Sequence, residues 1–249
     1  MGGSRLLHNS RFYIVSAAII LSAGVFAWLR LQTTSNQLLV IQAEQCYGFI
    51  SIGFLYLTLI ISPIRTIAGE SRLKRLLYAR RGFGLSAFYY ALLHATITLW
   101  GQLDGPGNLH FLPSIFKWSL LGGVTALAIL AIMALTPSDQ LIPHIPYHWW
   151  KRIHRLVYVA GALIILHVWT IGTHLMSPVV QLISFTALMV LFGLESFRFT
   201  HFLSRKYSYF GKAEALILSI ILWAIIGIFL LMLPTIIGNY HSAHMEHMA

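Results

Sequence analysis

Charged residues in this chain fall in short segments, and between them lie uncharged runs long enough to cross a bilayer. The runs are Phe12–Leu29, Tyr47–Ile64, Gly82–Gly101, Trp118–Leu135, Leu156–Leu175, Pro178–Leu194 and Ala215–Ile237. Each is close to the roughly 20 residues that a helix needs to span the hydrocarbon core. The fifth and sixth form one uncharged stretch, Leu156 to Leu194, which is too long for a single crossing. Ser177-Pro178 supplies the break, because proline interrupts a helix that reaches it from its N-terminal side. The pattern predicts an all-α integral membrane protein: a bundle of seven transmembrane helices, with six as the alternative count. No cleavable-signal pattern precedes the first run, so it is read as a mature span.

Lys and Arg set the orientation. With the N-terminus inside, 15 of them fall on cytoplasmic segments and only Arg30 and Lys117 fall outside, which accounts for all 17. That asymmetry is a strong positive-inside signal and favours seven spans, since dropping one would put a basic loop on the wrong side. The expected location is the cell inner membrane, multi-pass, with the N-terminus cytoplasmic and the C-terminus outside. The net charge of +10 is therefore a topology signal and not a nucleic-acid-binding face. The composition, 57% hydrophobic and 10% charged, agrees with a membrane protein. A single cysteine, Cys46, excludes an intrachain disulfide or a cysteine-rich iron–sulfur site, and reads as packing. No Gly-rich nucleotide fingerprint follows a strand, and Gly82-Phe-Gly84 at the start of a span reads as close helix packing. The whole chain reads as one transmembrane domain, 1–249. Its core is about 47–194, followed by an extra C-terminal helix at about 214–237 and an outward tail, 238–249.

Two histidines, His94 and His167, lie deep inside these spans. Imidazole within hydrocarbon is rare and is a functional-site hypothesis by default. His94 is 13 residues past Arg81 and His167 is 15 past Arg152. At about 1.5 Å per residue they sit roughly 20 and 22 Å above the cytoplasmic helix starts, at one depth in the outer half of the bilayer. Two imidazoles facing each other from different helices are what a six-coordinate haem iron needs. His154 is 13 residues before His167 on the same helix, about 20 Å lower. That depth suits a second, inner haem, but no histidine near Arg81 offers a partner, and an interfacial role for His154 is an equal alternative. The tail crowds His241, His244 and His247 with Met245 and Met248. Such clusters can hold Cu or Zn, and an unstructured polar tail is the competing reading. His174 reads as interfacial, and His8, His110, His144, His148 and His201 carry no assigned function.

Three pieces resemble the ferric-reductase-like transmembrane family: Arg80-Arg81-Gly-Phe-Gly-Leu-Ser-Ala-Phe-Tyr-Tyr-Ala-Leu-Leu-His94, Trp150-Lys-Arg-Ile-His154-Arg-Leu-Val-Tyr158, and His167 downstream. In particular they resemble its bacterial branch, the haem-binding membrane subunit of the periplasmic methionine sulfoxide reductase system. The likeness covers roughly Tyr47 to Leu194. It implies a b-type haem within the membrane and electrons passed outward. It also implies a cytosolic flavin reductase or quinol as donor, FMN or quinone as a further cofactor, and a periplasmic redox partner as acceptor. This chain departs from the larger relatives, which carry two histidines on each of two helices and a fused flavin/nicotinamide domain. It departs from the bacterial branch in its extra C-terminal helix and its His/Met tail.

The expected function is transmembrane electron transfer by one b haem between the third and fifth helices, held by His94 and His167. Tyr89, Tyr90, Trp100, Tyr158 and Trp169 are expected to pack the porphyrin. Arg81 and Arg152, with Lys151 and Arg155, mark where an anionic flavin or quinol head would dock. The chain by this reading is an oxidoreductase membrane subunit with no catalytic side chain of its own. One alternative is a metal reductase acting on Fe(III) or Cu(II) at the outer face. A second is a metal-binding transporter or assembly factor without haem.

Overall fold

The structure, a computed structural model, describes residues 2–68, 74–136, 146–172, 177–206, 213–214, 217–225 and 227–228. The described residues are almost wholly helical and contain no strand. Six long helices follow in order: α1 (Gly2–Gln32), α2 (Asn36–Ala68), α3 (Lys74–Ile97), α4 (Ser114–Leu135), α5 (Tyr147–Ile171) and α6 (Pro178–Lys206). All six are long and apolar enough to cross a membrane. This is a multi-pass membrane protein. The break expected at Ser177-Pro178 is where α6 starts, with proline at the first helical position, where its missing N–H costs nothing. Most of the seventh run lies outside the described residues. Its residues 217–225 are helical, and Trp223 Nε1 donates to the Met189 carbonyl at 3.3 Å on α6.

The chain divides into two compact units. The first comprises 1–61 and 73–167; the second comprises 62–72 and 168–249. In the second, the Thr200 and Ser219 hydroxyls bond each other, and Ser219 also donates to the Ser196 carbonyl at 3.1 Å. The pairs Met189–Trp223 and Ser196–Ser219 run in opposite senses, so α6 and the 217–225 segment are antiparallel.

In the first unit α1 and α2 are stitched to α3 by hydroxyl groups. Tyr90 Oη donates to the Ala18 carbonyl at 2.8 Å, and Tyr47 Oη donates to the Ser22 carbonyl at 3.0 Å. Ser22 Oγ and Tyr89 Oη bond each other at 2.8 Å, and Ser51 Oγ donates to the Ala87 carbonyl at 2.9 Å. Lipid tails are as apolar as leucine, so contacts of this kind, with close backbone approach, stand in for the hydrophobic force between membrane helices. Gly82 provides the approach: a Cβ there would stand 2.9 Å from Ile14 of α1. The expected packing role of Gly82 is what the structure shows. Cys46 is half-buried and packs against the Tyr47–Tyr90 core. Tyr89 and Tyr90, expected to pack the porphyrin, both bond α1 through their hydroxyls, and Tyr90 is wholly buried.

At its C-terminal end α3 widens into a π-helical turn, Thr98–Gln102. The chain then reverses through Asp104 and Gly105, both in the left-handed region with φ of 49° and 102°. A short 3-10 helix, Pro106–Phe111, follows, and Lys117 Nζ donates to the His110 carbonyl at 2.8 Å. This segment, rich in Gly, Pro, Asn and Asp, joins α3 to α4.

Candidate functional site

On α4 the positions Ser119, Ala126 and Leu130 are buried, at the i, i+7, i+11 spacing of one helix face. On α5 Val157 and Ala160 are buried, and His167 lies seven residues beyond Ala160 on the same face. His94 lies one turn above Tyr90 on the inward face of α3. These registers bring the two imidazoles together: the His94 and His167 ring centroids are 6.2 Å apart, with planes at 85°.

Each ring is held from the preceding helix. His94 Nδ1 lies 3.0 Å from the Glu44 carbonyl on α2, and His167 Nδ1 lies 2.9 Å from the Ser119 carbonyl on α4. A carbonyl can only accept, so each Nδ1 carries the proton and donates. That fixes both tautomers and leaves Nε2 as the nitrogen able to bind a metal. Side chains add to this. Glu44 Oε1 is 3.5 Å from His94 Nδ1, and Ser119 Oγ is 3.3 Å from His167 Nδ1.

Imidazole–metal bonds are about 2 Å and a ring centre lies about 1 Å behind its nitrogen, so two axial imidazoles on one metal have centroids roughly 6 Å apart. The observed spacing fits. Among the described residues no group of three or more His, Cys, Asp or Glu side chains is gathered as a metal site. Two imidazoles are too few protein ligands for a closed tetrahedral site, but they are the number that haem iron takes on its two axial positions.

His154 is not part of this pair. Its Nδ1 turns to the Trp150 carbonyl of its own helix at 3.0 Å, and its ring stacks on Trp150 with centroids 4.1 Å apart. Arg80 and Arg81 of α3 lie close enough for their charge to act on it. Arg152 sits over the Trp149 ring, 5.0 Å from its centroid. Arg81, Arg152 and His154 thus all belong to an aromatic and basic region of the first unit, near the starts of α3 and α5. His110 packs on Phe111 and His201 on Phe197. His144, His174, His241, His244 and His247 lie outside the described residues.

Glu44, Gly48, Ser119 and Gly123 escaped the sequence reading. A signal for them existed: Glu44-x-x-x-Gly48 and Ser119-x-x-x-Gly123 share one spacing on the helices that precede the two histidine helices. Glu44 is also an acid within a helix long enough to span.

The sequence profile described as "Ferric reductase like transmembrane component" matches residues 47–166. That segment contains both histidines' helices almost entire and ends next to His167. Over that segment, just under half of its length, the chain is similar to the ferric reductase like transmembrane components. Similar proteins include the "Protein-methionine-sulfoxide reductase heme-binding subunit MsrQ" of Xanthomonas campestris pv. campestris (strain 8004), 33% identical over 130 residues, 52% of this chain and 58% of the relative. The protein of the same name in Herminiimonas arsenicoxydans is 35% identical over 119 residues, 48% of this chain and 53% of the relative. Its counterpart in Brucella ovis (strain ATCC 25840 / 63/290 / NCTC 10512) is 37% identical over 121 residues, 48% of this chain and 52% of the relative. The match thus spans between half and three-fifths of these relatives' own length.

Proposed function

We propose that this chain is a transmembrane electron-transfer subunit that holds a b-type haem between His94 and His167. The observation that carries the reading is the pair of imidazoles 6.2 Å apart, each with Nδ1 tied to a carbonyl of the neighbouring helix. Bound there, the haem supplies one-electron chemistry with no open coordination position needed. The chain's own residues do the rest. His94 and His167 furnish two neutral imidazole ligands, the Glu44 and Ser119 carbonyls orient them, and the apolar helices exclude water and tune the potential. The relatives' name, a heme-binding subunit of a methionine-sulfoxide reductase, supports the same role in a redox system.

The path runs outward. Electrons enter from a cytosolic flavin reductase or quinol and leave to a periplasmic redox partner, in an inner membrane with the N-terminus inside. His94 and His167 lie in the outer half, which leaves roughly 20 Å of inner bilayer to cover at 1.5 Å of rise per residue. FMN or quinone, docked by Arg81 and Arg152, fills that gap, and His154 is the imidazole within it. One haem per chain is the expected stoichiometry.

The test is a reduced-minus-oxidised spectrum of the purified protein. A low-spin b-type spectrum is expected in the parent, and His94→Ala and His167→Ala should each abolish it. Either variant keeping full haem and an unchanged spectrum sinks the assignment. A pyridine haemochrome assay giving two haems per chain would show that His154 holds a second.

A further inference from the structure

The two histidines are seated in the same way twice. On α2, the carbonyl of Glu44 takes the Nδ1 proton of His94, and one helical turn on is Gly48. A Cβ built at Gly48 would stand 3.1 Å from His94 Nδ1, 3.4 Å from Cε1 and 3.7 Å from Cγ. On α4, the carbonyl of Ser119 takes the Nδ1 proton of His167, and one turn on is Gly123. A Cβ at Gly123 would stand 3.0 Å from both Nδ1 and Cε1 of His167 and 3.5 Å from Cγ. Each imidazole therefore lies against bare glycine backbone, with its Nδ1 edge pinned by the carbonyl one turn away.

These glycines differ from others on the same or facing helices. Gly53 on α2 and Gly161 on α5 have nothing within 4 Å of an added Cβ. Gly48 and Gly123 are bare because a ring occupies the space. A ring held at its Cβ, at its Nδ1 and along its flank cannot swivel about χ2. The outcome of the two seats is the 85° angle between the ring planes.

We infer that Gly48 and Gly123 are positioning residues that lock the two axial imidazoles perpendicular to each other, and that this orientation sets the electronic state of the iron they hold. The inference rests on His94 and His167 being the ligands. Perpendicular imidazoles act through their π-orbitals on two different iron d-orbitals and leave those orbitals nearly equal in energy. Parallel imidazoles act on the same orbital and split the pair. A low-spin ferric iron with near-degenerate orbitals gives a strongly anisotropic electron paramagnetic resonance signal, dominated by one low-field feature. The split case gives a resolved three-line rhombic spectrum.

The experiment compares the oxidised full-length protein with Gly48→Ala, Gly123→Ala, the double variant, and the controls Gly53→Ala and Gly161→Ala. The parent should show the single low-field feature. Gly48→Ala and Gly123→Ala should each move intensity toward a rhombic spectrum and shift the midpoint potential, the double variant more so, and the controls should match the parent. All four single variants make the same change in helix propensity. Loss of haem in Gly48→Ala or Gly123→Ala with full haem in both controls therefore also supports the seat, and equal loss in all four overturns it. A rhombic parent spectrum, or parent-like spectra and potentials in Gly48→Ala and Gly123→Ala, overturns it as well. His94→Ala and His167→Ala separate this failure from the other: if they keep the low-spin signal, the ligand assignment itself is wrong.

Discussion

His94 has a carboxylate beside its Nδ1, Glu44 Oε1 at 3.5 Å, whereas His167 has a hydroxyl, Ser119 Oγ at 3.3 Å. In both cases the carbonyl makes the shorter bond, so removing either side chain should leave the ring seated. Charge is what differs. A negative charge near an iron favours the ferric over the ferrous state, and the low dielectric of the bilayer interior strengthens the effect. Glu44→Gln keeps the shape and removes the charge. Its haem midpoint potential should rise by on the order of 60 mV, one tenfold step in a one-electron equilibrium. Ser119→Ala should stay close to the parent. An optical redox titration reads both, and a Glu44→Gln midpoint equal to the parent's would mean that the carboxylate is not felt at the iron. The meeting of His94 and His167 was legible in the sequence, because rise per residue converts position in a span to depth. Their partners were not. Glu44, Gly48, Ser119 and Gly123 reach the rings through the register between helices, which interhelical packing sets and a count along one helix does not.

At the level of elements, hydropathy marked the hydrocarbon slab and not the helix ends. α2 begins at Asn36, eleven residues before the apolar run at Tyr47, since Gln, Asn and Glu are tolerated where a helix rises out of lipid. α6 likewise continues to Lys206 beyond the expected end at Leu194. Proline and glycine were more reliable. Pro178 starts α6, and Gly82 admits α1 against α3. The hydroxyl partners of the tyrosines could not be read from the sequence, because the register between helices sets them. Tyr90 Oη reaches the Ala18 carbonyl, so Tyr90→Phe should cost about 0.6 kcal/mol, the mean for an interhelical bond in lipid. Gly82→Leu drives a side chain into Ile14 and should cost about 1–3 kcal/mol by overpacking. Thermal unfolding in detergent should rank the parent above Tyr90→Phe and Tyr90→Phe above Gly82→Leu. A Gly82→Leu protein as stable as the parent would mean that α1 does not press on α3 there.

For the molecule as a whole, the charge distribution and the depth of the histidine pair make one argument about direction. Basic residues cluster at the helix ends read as cytoplasmic, and Arg80, Arg81, His154 and Trp150 gather there around the start of α5. The imidazole pair lies roughly 20 Å away along α3 and α5, counting 1.5 Å per residue. A donor that reaches only the inner surface must bring its electron to this basic region first, and a flavin phosphate or a quinol head in transit is drawn by cationic groups near the membrane surface, each worth about 1 kcal/mol. Arg81 and Arg152 are both exposed, Arg81 close to His154 and Arg152 over Trp149, so both can attract a ligand from outside. Arg81→Gln and Arg152→Gln together should then slow haem reduction by donor in inverted vesicles, about tenfold at low salt if both contributions of ~0.7 kcal/mol or more are lost. Raising the ionic strength should slow the parent toward the double variant, because exposed charge is screened within about 10 Å at 0.1 M salt. The oxidised haem spectrum should not change, since neither arginine touches His94 or His167. Equal reduction rates in parent and variant at low salt would remove the inner docking site and leave the electron's entry to be sought elsewhere on the cytoplasmic face.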